Sequence, residues 1–132
     1  MAVSRITAHF DNSIEEVWNA VTSKEDYDWR SDIDRIEVVD DRQFIEYTKD
    51  GYATYFTTTV FDPCKRWEFD MENSNMKGHW TGAFSQDKDQ TCIDFTETVT
   101  AKKLVMKPFV KAYLKKQQEK YVSDLEKLLL KG

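Results

Sequence analysis

A long stretch of alternating apolar and polar residues, followed by one long amphipathic helix, is the feature that most constrains the fold of this chain. Between residues 33 and 100 the sequence has the period of two that is typical of half-buried strands, and residues 102–131 have helical spacing. A sheet face and an apolar helix stripe each need a burial partner. We therefore predict an α+β fold in which about seven antiparallel strands pack against the C-terminal helix. At this length the chain is expected to form one domain, residues 1–132.

The N-terminal residues predict a strand followed by a capped helix. Residues 6–10 alternate between apolar and polar side chains. Ser13 stands three residues before Glu16, the spacing of a capping box in which each side chain binds the other residue's backbone N–H. The apolar positions of the helix share one face and are Ile14, Val17, Trp18 and Val21. A second short helical or irregular piece is expected over 24–30.

Six further strands are predicted from the alternation and from turn residues between them. Trp67, Phe69 and Met71 alternate with charged residues and give the clearest inside-outside pattern. Gly78 and Gly82 within one strand indicate either a bend or a close approach to the backbone. The expected strands span 33–39, 42–49, 52–61, 66–72, 76–86 and 91–100.

The final helix is expected to begin near Pro108, or to be kinked there if it begins near Lys102. Gln117 falls on its apolar stripe, and Phe109 and Tyr113 lie beside it. The stripe comprises Val110, Leu114, Tyr121, Leu125 and Leu128.

Charge is distributed unevenly along the chain, whose net charge is -5. Residues 102–132 contain nine of the 19 Lys and Arg residues but only three of the 24 Asp and Glu residues. A basic helix could contact an anionic partner or a membrane surface, or its lysines could cover apolar surface and face the acidic sheet. The acidic remainder would repel nucleic acid, so no nucleic-acid partner is expected.

The N-terminus lacks the basic start and apolar run of a signal peptide, and no segment approaches roughly 18 apolar residues. We therefore expect a cytoplasmic protein with no integral membrane segment. Its two cysteines, Cys64 and Cys92, are expected to be reduced. Both a monomer and a homodimer are compatible with the sequence.

The N-terminal run Ile6–Trp18, the Tyr27-x-Trp29 element and the order of strands and helices resemble the START-like superfamily, also called SRPBCC. Polyketide cyclase-like proteins, Bet v 1-type allergens and lipid-transfer domains belong to this superfamily. Asp11-Asn12-Ser13 departs from the usual proline-containing lead-in to the first helix. The resemblance implies a helix-grip fold, in which a curved sheet wraps the last helix around a deep, mostly apolar cavity. It also implies a lipid, sterol, hormone or polyketide ligand, and some members are enzymes.

No motif in the sequence identifies a reaction. His9, His79, Cys64 and Cys92 show no metal-ligand spacing, so no metal site is expected. No nucleophile elbow or phosphate-binding glycine loop is present, and no cofactor is expected.

Isolated polar residues on apolar faces are the remaining candidates for a site. Glu97 shares the inward phase of the last strand, where its carboxyl would be costly to bury. Alternatively, it lies at the strand end, where its carboxyl reaches water or bridges to Lys102 or Lys103. Tyr47 and Tyr55 could also enter the cavity, whereas His79 lies on the opposite phase. The candidate ligand-binding residues are Trp67, Phe69, Trp80, Glu97, Tyr113 and Gln117.

Three functions remain open at this point. The first is the binding of a small hydrophobic ligand between the sheet and the C-terminal helix. The second is a cyclase, dehydratase or hydrolase that uses Glu97 as general acid or base. The third is a protein-interaction module, similar to a co-chaperone, that uses the basic face of the last helix.

Overall fold

A computed structural model describes residues 1–131 of the chain. Within these residues there are seven strands and two α-helices, and a short 3-10 helix leads into the second. The predicted strands are all present, and the six after the first helix have ends within two residues of the prediction. In chain order the elements are β1 (Ala2–Phe10), α1 (Ile14–Thr22), β2 (Arg35–Val38), β3 (Gln43–Tyr47), β4 (Ala53–Asp62), β5 (Arg66–Glu72), β6 (Met76–Asp87), β7 (Gln90–Ala101), the 3-10 helix (Leu104–Phe109) and α2 (Val110–Lys131).

The strands form one curved antiparallel sheet in the order β1-β7-β6-β5-β4-β3-β2. Short turns join β2 to β7 as a meander, and β1 completes the sheet by pairing with β7. The register places Ser4, Glu97, Trp80 and Phe69 opposite one another on four neighbouring strands. Because side chains alternate between faces along a strand, these four residues share the inner face, against which α2 packs.

The predicted N-cap of α1 is confirmed, but only half of the capping box forms. The Ser13 hydroxyl accepts a hydrogen bond from the backbone N–H of Glu16 at 3.2 Å. The Glu16 carboxylate instead accepts from the side-chain amide of Asn12 at 2.9 Å. The helix packs on the inner face through Trp18, whose ring meets Phe84 edge to face at 4.8 Å. Residues 24–30 are irregular, so one helix rather than two follows β1 in the described residues.

The C-terminal helix begins later than Lys102. A proline has no N–H to donate and disfavours α-helical geometry in the residue before it. Pro108 accordingly lies in the 3-10 helix, and α2 begins at Val110. Phe109, predicted beside the buried stripe, is instead 68% exposed.

The buried stripe of α2 agrees with the prediction at Val110, Leu114 and Leu125, while Tyr121 and Leu128 are half-buried. Three buried positions on this stripe were missed: Gln118, Val122 and Leu129. Each lies one residue after a position that the sequence placed on the stripe, namely Gln117, Tyr121 and Leu128. The packed face of an α-helix is wider than one line of residues, so both neighbours can contact the sheet.

The two glycines of β6 each lie against another part of the protein. The Trp80 indole folds over Gly82, and a methyl group at this position would collide with the ring. At Gly78 a methyl group would meet the backbone oxygen of Thr98 at 2.5 Å. The close approach considered from the sequence is therefore a contact within the protein itself.

Replacing Gly82 by Ala should destabilise the protein by about 1–2 kcal/mol, because the added methyl group forces Trp80 out of its position. Chemical denaturation of the variant would measure this loss. In a Trp80→Leu background the same substitution should cost much less, since the indole is gone. An equal loss in both backgrounds would show that Trp80 is not the group that Gly82 accommodates.

Candidate functional site

A cavity of about 240 Å³ lies between the inner face of the sheet and α2. All seven strands, α1, the segment between α1 and β2, and one side of α2 contribute to its wall. All six side chains selected from the sequence line this cavity: Trp67, Phe69, Trp80, Glu97, Tyr113 and Gln117.

Aromatic side chains form one wall of the cavity. Phe69 and Trp80 are opposite residues on β5 and β6, and their rings stack with centroids 4.7 Å apart. Phe44 and Phe56 form a second stacked pair across β3 and β4, at 4.8 Å. Direct opposition in an antiparallel sheet holds such pairs within reach of each other. Trp67 contacts rings of both pairs, so the wall is continuous across four strands.

A buried ion-pair cluster contributes charged groups to the cavity wall. Arg30 lies in the irregular segment before β2, and its guanidinium binds Asp32 through Nε at 3.1 Å and Nη2 at 2.7 Å. The same guanidinium donates from Nη1 to Glu46 of β3 at 2.7 Å. It also lies 5.2 Å from the centre of the Tyr121 ring on α2. Burial lowers the pKa of Arg30, but Glu46 and Asp32 more than offset it, so that the pKa lies well above its ordinary value. Arg30 therefore stays charged.

Glu97 lines the same cavity without a partner. Burial raises the pKa of Glu97 to about 7, with a further contribution from the negative charge of Glu46. Within residues 1–131 its carboxyl makes no hydrogen bond with another side chain or the backbone. The alternative bridge to Lys102 does not form, since the Lys102 ammonium binds Glu72 at 2.7 Å. Near neutral pH, Glu97 can therefore both donate and accept a proton within the cavity.

Two neighbouring glutamines of α2 have different environments. Gln118 is buried and tied to β1: it accepts from the Ser4 hydroxyl at 2.7 Å and donates to the Ser4 carbonyl oxygen at 3.0 Å. Gln117 is half-buried and lines the cavity, and its side-chain amide makes no hydrogen bond within the described part of the chain. Tyr113 is 51% exposed. Its partial burial raises the pKa of its hydroxyl, and the negative charge of Glu97 makes a smaller contribution in the same direction. Gln117 and Tyr113 thus bring polar groups to the helix side of the cavity.

Several cavity residues with polar or charged groups were not selected from the sequence, among them Lys24, Arg30, Asp32, Glu46 and Tyr121. Glu46 shares the strand phase of Phe44, so the reasoning applied to Glu97 could have found it. Arg30 and Asp32 lie in an irregular segment, where the sequence has no period that would predict which way their side chains point.

Tyr47 and Tyr55, considered as possible cavity residues, lie outside it. The Tyr47 hydroxyl donates to Glu37 on the neighbouring strand at 2.9 Å, and Tyr55 is 57% exposed. His79 lies on the outer face, as predicted, between Asp70 at 2.7 Å and Glu68 at 2.8 Å.

Comparison with known proteins places this architecture in a family. Residues 1–129 match the family described as polyketide cyclase/dehydrase and lipid transport. The chain belongs to this family. The match covers both the sheet and α2, and it confirms the START-like, polyketide cyclase-like relationship predicted from the N-terminal run and the element order.

Several solved structures have the same fold. A START superfamily protein from Mycobacterium smegmatis aligns with a TM-score of 0.83 at 18% identity, covering 98% of this chain and 97% of that chain. A conserved protein from Geobacillus kaustophilus aligns with a TM-score of 0.83 at 10% identity, covering 98% and 95%. DynU16, from the dynemicin biosynthetic locus, aligns with a TM-score of 0.80 at 14% identity, covering 98% of this chain and 47% of that chain. The predicted helix-grip fold is therefore confirmed.

No curated protein matches this family member in sequence. Over residues 1–131, neither helix is long and apolar enough to cross a membrane.

Proposed function

We propose that this family member binds a small, mainly aromatic molecule with one polar end in the cavity between its sheet and α2. The observation that carries this proposal is a cavity that combines a continuous aromatic wall, with the Lys24 ammonium 5.2 Å from the Phe44 ring, and further polar groups that include Glu97. Ligand sites of this kind use apolar walls for affinity and a few polar groups for orientation. The family description, which names polyketide cyclisation and lipid transport, fits an apolar ligand.

The cavity volume limits the size of that ligand. About 240 Å³ lies just below the range of about 300–1,000 Å³ that is common for drug-sized ligands. A cavity of about 150 Å³ accepts benzene. The volume therefore favours a molecule of one or two fused rings over a long acyl chain or a sterol.

Glu97 and Gln117 are suited to orient the polar end of the ligand. The Gln117 amide can donate and accept at the same time. Glu97 with a pKa of about 7 can donate from its protonated form to a ligand carbonyl, or accept from a ligand hydroxyl as the carboxylate. Because Arg30 is already bound by Asp32 and Glu46, it provides fixed positive charge rather than a free donor.

A cyclase or dehydratase is the second candidate function, and the pKa of Glu97 is the observation that favours it. A general acid or base works best when its pKa lies near the working pH, and Glu97 meets this condition at about 7. In this case Glu97 would transfer a proton to or from a ligand oxygen or carbon on the aromatic wall.

The binding proposal can be tested by thermal shift with 2-naphthol as a two-ring probe and decanoate as an acyl probe. We expect 2-naphthol to raise Tm with single-site concentration dependence, by on the order of 5 °C at ten times Kd. Decanoate should give a smaller shift. Met76→Trp should remove the 2-naphthol shift, because Met76 lines the cavity and an indole there would fill part of it.

Val3→Trp is the matched control, because Val3 is exposed on the outer face of β1 and should leave the shift intact. A shift that survives Met76→Trp, or no shift with the wild-type protein, would refute ligand binding in this cavity. Glu97→Gln separates the two functions. The variant should still bind 2-naphthol in both cases. Turnover decides between the two functions, because only an enzyme has a turnover that Glu97→Gln would abolish.

A further inference from the structure

Three potential metal ligands meet on the outer face of the sheet, opposite to the cavity. His9, Asp87 and Cys92 each offer one ligand atom, and these atoms all lie within 4.8 Å of one another. The sequence shows no ligand spacing among the histidines and cysteines, because His9 and Cys92 are far apart along the chain. Because the three residues lie on β1, β6 and β7, only the strand register reveals the cluster.

The register fixes the three residues on one face. His9 stands directly opposite Cys92 in the β1–β7 pair. Asp87 closes the β6–β7 hairpin, and Cys92 is opposite Ser85, two residues before Asp87 and therefore on the same face. A left-handed residue at the turn, Lys88 with a φ of 58°, keeps this hairpin tight. The backbone therefore places the three residues close together on the outer face of the sheet.

Imidazole, thiolate and carboxylate are the three protein ligands that Zn²⁺ uses most. A tetrahedral site with metal–ligand distances of about 2.0–2.3 Å has ligand atoms about 3.3–3.8 Å apart. The present spacing must therefore close by about 1 Å. His9 and Asp87 are exposed, so their side chains can rotate toward Cys92 without disturbing the core.

We propose that His9, Asp87 and Cys92 form a binding site for a divalent transition-metal ion of the Zn²⁺ type. Three protein ligands leave the fourth tetrahedral position to a water molecule. Binding deprotonates the Cys92 thiol, and the proton passes to solvent while the sulfur–metal bond forms. The site lies on the face opposite to the cavity, so it does not depend on the proposed ligand.

The proposal predicts a cobalt–thiolate signal from the tag-free, reduced protein. Titration with Co²⁺ should produce a near-ultraviolet charge-transfer band, and Zn²⁺ should displace it. Cys92→Ser should abolish the band. His9→Gln and Asp87→Asn should each weaken Co²⁺ binding by at least about tenfold, as the loss of a direct ligand exceeds the usual effect of an outer-shell change. Zn²⁺ should also raise Tm in the wild-type protein, because binding to the folded state stabilises it.

The chain supplies its own matched controls, since it has a second cysteine and a second histidine. Cys64 and His79 lie outside the cluster, so Cys64→Ser and His79→Gln should leave the cobalt signal unchanged. His9 and Asp87 are exposed, so their variants should remain folded even if Cys92→Ser does not. The site is refuted if the wild-type protein gives no thiolate band, if Cys64→Ser removes it, or if both His9→Gln and Asp87→Asn bind Co²⁺ as tightly as the wild type.

Discussion

Replacing Arg30 by Met should destabilise the protein by about 3–5 kcal/mol, the usual effect of removing one partner from a buried ion pair. The Arg30 side chain is only 12% exposed, and Asp32 and Glu46 are 23% and 16% exposed. Without the guanidinium, two carboxylates would remain in a poorly hydrated site with no counter-charge. Urea denaturation at pH 7 would measure the loss.

A second substitution shows whether the loss comes from the uncompensated charge. Arg30→Met combined with Glu46→Gln should recover part of the stability, because it removes one of the two unpaired carboxylates. Arg35→Met is the matched surface control. Arg35 is 53% exposed and stands 3.7 Å from Asp34, so its loss should cost less than about 1 kcal/mol. Equal effects at Arg30 and Arg35 would contradict the buried cluster.

The parts of the fold that were predictable from the sequence are those encoded by neighbouring residues. Alternation around Trp67 and Phe69 revealed the inner face of β5, because successive strand residues point to opposite sides. The same rule found Glu97, whose phase matches that of the apolar residues of β7. The residues found by this rule line the cavity.

The remaining parts depend on packing that local sequence does not specify. The direction of Arg30 is set by Asp32 and by Glu46 on another strand, and an irregular segment has no period to reveal it. Gln117 and Gln118 differ by one helical position, about 100° of rotation. Only the contact with Ser4 shows that Gln118 is the glutamine tied to the sheet. The cluster of His9, Asp87 and Cys92 likewise follows from the pairing of three strands.

The pKa of Glu97 makes the stability of the protein depend on pH in a predictable direction. The folded protein binds the Glu97 proton more tightly than the unfolded chain does, since its pKa is about 7 rather than 4.5. Stability should therefore fall as the pH rises from about 4.5 to about 7, and this contribution should be constant above that range. At about 1.4 kcal/mol for each unit of pKa, the full loss is on the order of 3 kcal/mol.

Glu97→Gln should therefore leave stability unchanged near pH 4 and raise it by on the order of 3 kcal/mol at pH 9, because the amide cannot ionise. Denaturation curves of the two proteins across this range would give the difference directly, and contributions from other titrating groups cancel. Glu72→Gln provides a control of opposite sign. Hydrogen bonding to Lys102 lowers the pKa of Glu72, so losing that carboxylate should destabilise the protein at neutral pH and have little effect at low pH. If the difference between wild type and Glu97→Gln did not change with pH, the Glu97 carboxyl would be hydrated rather than enclosed, and both its orienting and its acid–base roles would be lost.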